Sequence, residues 1–480
     1  MPGPAILRRK PIDDIEPESS GGGLQRTLGL RQLTAIGIGG IIGAGIFAGR
    51  RGGPRDGRSA VVLSFLIAGV ASAAAAFSYA EFAGLIPKAG SAYTYGYVVL
   101  GEFAAWFIGW DLLLEYTAIV AVVAIGISGY FNELLGFIGV QLPPWMLGAP
   151  GTESDDGVAP GTYVVNLFAV LLCLLIAFVL NRGMKGAARF ETYLVVLKVA
   201  IVLLVVVVGV FYIDAGNYDP FTPFGLTGAF TGAATVFFAV FGYDAMSTAA
   251  EESKESQKHM PKAIIYSLAI SMVLYVLACL VLTGMVDYTR IDSEAAFSAA
   301  FADVGLPFLG AVIAAGAILG ILTVLFTFLM GASRVGYSMS RDGLLPAWLS
   351  KTDPKHHAPT RITWILGVAS ALIAGFLPIG EAAELTNIGI LLAFVVVCIA
   401  VIVLRYRRPD LPRSFRCPGM PVVPAIGVVF SLWLISFLAW ETWLRFAAWF
   451  VIGAVVYFAY GIRRSKLAGT GGRTDLLDQR

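Results

Sequence analysis

The stretch Gly39-Gly40-Ile41-Ile42-Gly43-Ala44-Gly45-Ile46 lies inside the first long hydrophobic segment of the chain. Glycine costs about 1 kcal/mol relative to alanine in a helix interior, so this string predicts that the helix is interrupted at membrane depth. Irregular backbone inside a bilayer is tolerated only where it is buried in protein or lines a cavity. There its free amides and carbonyls can hold a ligand, as the discontinuous helices of transporters do. The stretch therefore predicts a broken first membrane helix with a binding site at the break.

The composition is that of an integral membrane protein. Hydrophobic residues make up 57% of the chain and charged residues 14%, whereas soluble domains have about 25% charged residues. Apolar runs of about 18 or more residues with few charges are typical of transmembrane helices. The sequence predicts one transmembrane domain, residues 31–464, between polar tails at 1–30 and 465–480. We count twelve spans, at about 32–49, 60–86, 98–130, 162–180, 190–213, 228–249, 263–286, 306–333, 362–379, 383–404, 423–440 and 444–462.

The basic residues predict the orientation of the chain. Lysine and arginine collect in the amino-terminal tail and in the loops after spans 4, 6, 8 and 10, while the opposite loops are acidic. By the positive-inside rule, both termini are expected in the cytoplasm, and we expect a multi-pass protein of the plasma membrane. One loop does not fit this pattern, because Arg50, Arg51, Arg55 and Arg58 follow span 1 and should face outward.

A second interruption is predicted in span 6. The stretch Phe238-Ala239-Val240-Phe241-Gly242-Tyr243-Asp244 places a glycine and a carboxylate at membrane depth. Two interrupted spans five positions apart are typical of an inverted repeat. The repeats would be residues 31–213 and 228–404, with peripheral helices at 423–462. The expected fold is therefore all-α, with twelve transmembrane helices, a 5+5 inverted repeat and breaks in helices 1 and 6.

Ionisable residues inside membrane helices are costly and usually functional. Lys198 lies eight residues after Phe190, about 12 Å into a hydrocarbon core of about 30 Å. Because burial favours the neutral amine, Lys198 could release and rebind a proton; the alternative is a snorkelling lysine or a static ion pair. Asp111 and Glu115 share one face of span 3, and they could pair with Lys198 or carry protons. Asp244 either carries a proton or is a structural hydrogen-bond acceptor that fastens the span 6 break.

The two breaks together offer both halves of a site for a zwitterion. The free amides after the span 1 break would face a carboxylate, since they lie at the positive end of a half-helix. Carbonyls of both breaks would accept hydrogen bonds from an ammonium, and the phenylalanine rings of span 6 could cover the ligand. The alternative for the span 1 glycines is a small-residue face for helix packing. The candidate binding residues are Ile41, Gly43, Ala44 and Gly45 in span 1, and Phe238, Ala239 and Phe241 in span 6.

Further stretches match a known pattern. They are Ile36–Gly49, Tyr79-Ala80-Glu81-Phe82 with Pro87-Lys88-Ala89-Gly90-Ser91-Ala92-Tyr93, Gly109-Trp110-Asp111 through Glu115-Tyr116, Phe237–Glu252 with Pro261, and Arg334–Pro346. With them, the sequence resembles the amino acid–polyamine–organocation superfamily, most closely its cationic-amino-acid-transporter-like branch. The resemblance implies the leucine-transporter-type fold, the binding roles given above, and a span 5 lysine in the place of a sodium ion, which suggests proton coupling. Two features depart from the family pattern. Ala44 stands where relatives often have Ser or Thr, and the polar segment Arg50–Ser59 stands where the outer half-helix is usually apolar.

The function expected from these features is secondary active uptake of amino acids by alternating access, coupled to protons. Neutral substrates are favoured, because a cationic side chain would need a carboxylate, and the candidates Asp244 and Glu115 have other roles to fill. An enzyme is not expected, since Tyr243-Asp244 has no partner GxGD motif to form a catalytic acid pair. An amino acid sensor with little transport and a cationic amino acid transporter are the alternatives. The expected partners are an amino acid, protons and the lipid bilayer, with no nucleic acid, cofactor or metal; a partner subunit stays open.

Overall fold

The computed structural model describes residues 5–11, 24–43, 61–137, 139–140, 142–151, 162–219, 222, 225–287, 291, 296–436, 438 and 440–469. Within these ranges the regular structure is helical, apart from one isolated bridge between Leu28 and Ser253. In chain order the α-helices are α1 (Leu30–Ile41), α2 (Val61–Leu85), α3 (Ala92–Val99), α4 (Glu102–Phe137), α5 (Leu167–Asn181), α6 (Met184–Gly209), α7 (Gly225–Val236), α8 (Tyr243–Ser247), α9 (Ser256–Met285), α10 (Ala296–Asp303), α11 (Pro307–Arg341), α12 (Thr360–Phe376), α13 (Ile379–Arg407), α14 (Val422–Ile435) and α15 (Trp440–Val456). A π-helical turn (Tyr457–Gly461) and two short helices (Ile462–Arg464, Lys466–Gly469) follow.

Several of these helices can cross a membrane. Seven described segments are long and apolar enough to do so, and α5, α12 and α14 are shorter apolar helices at predicted spans. The chain is therefore an all-helical polytopic membrane protein, as predicted. The total of twelve spans, the inverted repeat and the division into tails and domain stay predictions. The seven segments are Val62–Leu85, Glu102–Gly129, Gly186–Tyr212, Ser256–Met285, Pro307–Arg341, Ile388–Arg407 and Trp440–Arg464.

Helical structure stops within both stretches where the sequence predicts a break. Helix α1 ends at Ile41, and the next residue is extended. In span 6, α7 ends at Val236, a 3-10 turn follows over Phe237–Ala239, and α-helix resumes at Tyr243. The chain can turn between these elements because Gly242 adopts φ +121°, a conformation that glycine reaches without steric cost. Ala44, Gly45 and Arg50–Ser59 lie outside the described residues, so the outer half of span 1 stays a prediction.

Helix α1 packs in the interior against α6, α9 and α11. Its small residues permit this close packing, because a Cβ added at Gly37 would lie 2.6 Å from Ser267 Cβ and one added at Gly43 would lie 2.7 Å from Val324 Cγ2. The span 1 glycines therefore serve close helix packing, the alternative noted in the sequence. Since α1 also ends among these same residues, packing and the break occur together here.

Ion pairs join several segments on the side of the molecule that holds the described parts of both tails. Arg341 donates two hydrogen bonds to the Glu251 carboxylate, at 2.6 and 2.9 Å. Burial raises the pKa of Glu251, but the hydrogen bonds and charge of Arg341 outweigh it and hold that pKa below its ordinary value. Lys10 pairs with Asp342 at 2.5 Å, and the backbone amide of Lys466 donates to the Asp342 carbonyl. These contacts join the amino-terminal and carboxy-terminal segments to the end of α11.

Candidate functional site

The two helix breaks meet backbone to backbone in the protein interior. A Cβ added at Gly242 would lie 2.6 Å from the carbonyl carbon of Gly40 and 2.9 Å from the amide nitrogen of Ile41. A Cβ added at Gly40 would lie 3.1 Å from the Gly242 carbonyl oxygen. Only glycines at these two positions allow so close an approach. The polar groups freed by one break therefore lie beside those freed by the other.

Lys198 holds the carbonyl end of α1. Its side chain is fully buried, and its ammonium donates hydrogen bonds to the carbonyl oxygens of Gly39 (3.2 Å) and Ile42 and to Thr323 Oγ1 (2.6 Å). Gly320 leaves room for the lysine stem, since a Cβ there would lie 3.0 Å from Lys198 Cδ. The carbonyl end of a helix carries partial negative charge, which favours a cation. Lys198 does not reach the surface of the protein, and its depth in the bilayer stays a prediction.

The acidic residue that interacts electrostatically with Lys198 is Glu191. Its buried carboxylate accepts a hydrogen bond from Thr327 Oγ1 at 2.6 Å. Sequence reasoning missed Glu191 and considered Asp111 and Glu115 for this role. A signal was present, because Glu191 precedes Lys198 by seven residues in α6, and residues two helical turns apart share a face.

Asp244 fastens the span 6 break. Its carboxylate is fully buried, with Oδ1 accepting from the Gly242 amide at 3.0 Å and Oδ2 accepting from the Tyr116 hydroxyl at 2.5 Å. The first bond closes the turn that leads into α8, and the second ties that turn to α4. The hydrogen-bond role foreseen for Asp244 is therefore present, and a role in carrying protons stays a prediction.

Glu115 differs from the other buried carboxylates. Neither of its oxygens has a hydrogen-bond partner among the residues that the structure describes, although the side chain is fully buried. Its electrostatic neighbours are Asp111 and Asp244, both acidic. Burying an ionised carboxylate without a partner is costly. Glu115 is therefore suited to carry a proton or to meet a cation that the ligand brings.

The candidate binding carbonyls already have donors. The Tyr275 hydroxyl lies 2.7 Å from the Ile41 carbonyl oxygen and 2.8 Å from that of Ala239. One residue further on, the Val240 carbonyl accepts from Ser72 Oγ at 2.6 Å. The structure thus brings the span 1 and span 6 candidates to one place, and Tyr275, which the sequence pattern does not single out, joins them.

The remaining candidates vary in how far the structure describes them. Phe241 is buried and packs edge-to-face on Phe328, with ring centroids 5.9 Å apart, so an apolar wall adjoins the breaks. Phe238 lies in the 3-10 turn, but its side chain is outside the described part of the structure, as are Ala44 and Gly45. Gly43 is buried against Val324.

Together, the helices and the polar groups at two broken spans define a multi-helix membrane protein of the transporter class. The chain belongs to the amino acid permease family, whose sequence model matches residues 28–460. It is 44% identical to a methylthioribose transporter of Bacillus subtilis (strain 168), over 96% of this chain and 99% of the relative. It is 43% identical to a branched-chain amino acid permease of the same organism, over 96% and 99%. A vacuolar cationic amino acid transporter 2 of Arabidopsis thaliana is 35% identical, over 86% of this chain and 65% of that protein.

These comparisons confirm the resemblance to the amino acid–polyamine–organocation superfamily and its cationic-amino-acid-transporter-like branch. The relatives are named as permeases and transporters, in agreement with the sequence-based argument against an enzyme.

Proposed function

We propose that the protein is a secondary transporter that takes up neutral amino acids across the plasma membrane by alternating access, with protons as the coupling ion and both termini in the cytoplasm. The observation that carries this proposal is the junction of the two breaks, where backbone acceptors and a fully buried lysine lie side by side. Family membership supports transport in general. The finer assignments rest on the chemistry of the junction.

The junction suits the polar head of an α-amino acid. The carbonyls of Ile41 and Ala239 are close enough to share one hydrogen-bond donor, so one ammonium could serve both. The backbone after Ile41, at Gly43 and onward through Ala44 and Gly45, would supply amides for the carboxylate. Phe241 and Phe238 would then border the side chain, and an apolar border favours a neutral substrate.

Proton coupling is proposed from the partners of Lys198. A protonated amine has three N–H groups, and three acceptors surround it: the carbonyls of Gly39 and Ile42, and Thr323 Oγ1. A neutral amine has two N–H groups and a lone pair, so the Thr323 hydroxyl could donate to it, but its bonds to the two carbonyls would no longer be charge-assisted and would be roughly half as strong. Loss of the proton therefore weakens the hold on α1 in this conformation. Glu115 and Asp244 are the further candidates for carrying protons.

Two other substrates have specific support. The Glu115 carboxylate, which has no hydrogen-bond partner in the described part of the chain, could meet a cationic side chain, and one relative is named as a cationic amino acid transporter. Another relative is named as a methylthioribose transporter, and that sugar brings hydroxyl groups in place of a zwitterion. We favour neutral amino acids, because the backbone groups at the junction match both charges of a zwitterion, which methylthioribose lacks, and because the adjoining Phe241 ring suits an uncharged side chain.

A thermal-shift screen of the purified protein against the twenty amino acids and methylthioribose tests the substrate class. A ligand at about 100 times its Kd stabilises a protein by about 2.7 kcal/mol, so small to medium neutral amino acids should raise Tm clearly. Stabilisation by arginine and lysine alone would favour a cationic amino acid transporter. Stabilisation by methylthioribose alone would favour the sugar as substrate. Counterflow of the labelled best ligand in proteoliposomes then separates a transporter from a sensor, since a sensor binds without exchange.

Substitutions of Asp244 test whether it fastens the break or carries the coupled proton. Asp244→Asn keeps an acceptor for the Gly242 amide, so we expect much of the uptake to remain. Asp244→Leu leaves that amide and the Tyr116 hydroxyl without partners, at a cost of about 1–3 kcal/mol for each, so uptake should be lost. Tyr116→Phe, which removes one of the two bonds, should give an intermediate loss. If Asp244 carries the proton, Asn and Leu would both stop proton-driven accumulation, and full activity in the Leu variant would exclude both roles.

A further inference from the structure

Tyr275 occupies the junction between the two breaks. It projects from α9, is fully buried, and its ring packs on Phe65 of α2, with centroids 5.0 Å apart. Its hydroxyl lies within hydrogen-bond distance of the Ile41 and Ala239 carbonyl oxygens. One phenol group therefore contacts both the carbonyl that ends α1 and the carbonyl that ends the 3-10 turn of span 6.

This hydroxyl is a poor match for the two carbonyls. A phenol has a single O–H proton, yet two acceptors lie at nearly equal distances of 2.7 and 2.8 Å. A full hydrogen bond to one leaves the other underserved. An ammonium has three N–H groups and forms charge-assisted bonds, which are roughly twice as strong as neutral ones. The carbonyls of Ile41 and Ala239 therefore gain more from an ammonium than from Tyr275.

The contacts of the hydroxyl are those assigned above to the substrate. It donates to the two carbonyls where the ammonium would donate. We propose that the Tyr275 hydroxyl stands in for the ammonium of the substrate: it holds the breaks together in the free protein and is exchanged for the amino acid on binding. This inference rests on the proposed function, and it adds a residue that sets the affinity of the site.

Tyr275→Phe is the direct test, because it removes the hydroxyl and keeps the ring on Phe65. In the free variant the two carbonyls have lost their donor, so its Tm should fall below that of the wild type. Substrate no longer competes with the hydroxyl, so binding should tighten by roughly two- to tenfold, the equivalent of one neutral hydrogen bond. Isothermal titration with the neutral amino acid that gives the wild type its largest thermal shift measures the Kd. With saturating ligand, the Tm values of variant and wild type should converge.

Tyr457→Phe is the matched control. Tyr457 is also fully buried, and its hydroxyl donates to Glu102 at 3.0 Å, away from the breaks. Its loss should lower Tm with and without ligand and leave the Kd unchanged. If Tyr275→Phe behaves in the same way, or binds the amino acid more weakly than the wild type, then Tyr275 has only a structural role and the inference is wrong. If the wild type itself binds no amino acid, the proposed function is what fails.

A second measurement does not depend on whether the variant folds. An experimental structure of the wild type with its amino acid bound should show the Tyr275 hydroxyl beyond hydrogen-bond distance of the Ile41 carbonyl, the Ala239 carbonyl or both. Retention of both hydrogen bonds with the amino acid in the site would overturn the exchange.

Discussion

Lys198→Arg is expected to abolish proton-driven accumulation of amino acid. A guanidinium stays protonated at any accessible pH, so the variant cannot pass through the neutral state that weakens the hold of Lys198 on the Gly39 and Ile42 carbonyls. Proteoliposomes with an acidic exterior and no sodium measure the effect. The wild type should accumulate amino acid, and the variant should reach no more than equilibrium.

Two further variants distinguish the loss of the change in protonation at Lys198 from general damage to the protein. Lys198→Met fills similar space with a permanently neutral side chain, so it should also fail to accumulate, while thermal shifts report whether it still binds substrate. Lys258→Arg makes the same chemical change at an exposed lysine, which pairs with Glu255 at 3.2 Å, and should leave accumulation unchanged. Accumulation by Lys198→Arg at the wild-type rate, or a strict sodium requirement of the wild type, would contradict proton coupling through Lys198.

The amino-acid sequence predicts a feature well when the residues concerned allow few other interpretations. Glycine is costly in a helix and a carboxylate is costly in a bilayer, so Gly40 and Gly242 with Asp244 indicate interrupted helices by their positions in apolar spans. The burial of Lys198 follows in the same way from its distance to the end of its span. The family also follows, because several of its motifs occur together, in or beside predicted spans 1, 2, 3, 6 and 8.

The pairing of side chains across helices could not be predicted in this way. Periodicity shows which residues share a face of one helix, but not which face of the next helix they meet. The contacts of Lys198 with Thr323 of α11 and with the Gly39 carbonyl of α1 are of this kind. Glu191, by contrast, lies on the same helix as Lys198, and its seven-residue spacing could have indicated the interaction. Tyr275 had no signal of its own, since an aromatic residue in an apolar span is usually core, and its role depends on where α9 passes the breaks.

Gly242→Ala is expected to eliminate substrate binding and uptake, with a large loss of stability. The alanine Cβ would lie 2.6 Å from the Gly40 carbonyl carbon and 2.7 Å from its oxygen. These are backbone atoms that cannot turn aside as a side chain can, so the two breaks must move apart. That movement would separate the Ile41 and Ala239 carbonyls, which must lie together to share one ammonium.

The energetic cost has two parts. A non-glycine residue held at an unfavourable φ such as +121° costs about 1–3 kcal/mol, and forced repacking of a dense interior costs about 1–3 kcal/mol more. Gly126→Ala is the matched control, because a Cβ at Gly126 of α4 meets nothing within 4 Å. It should leave uptake unchanged and raise stability by about 0.5–1 kcal/mol, the usual difference between alanine and glycine in a helix. Tm and labelled uptake of both variants test the contrast. Wild-type binding and uptake by Gly242→Ala would mean that substrate is held elsewhere than at the junction of the two breaks.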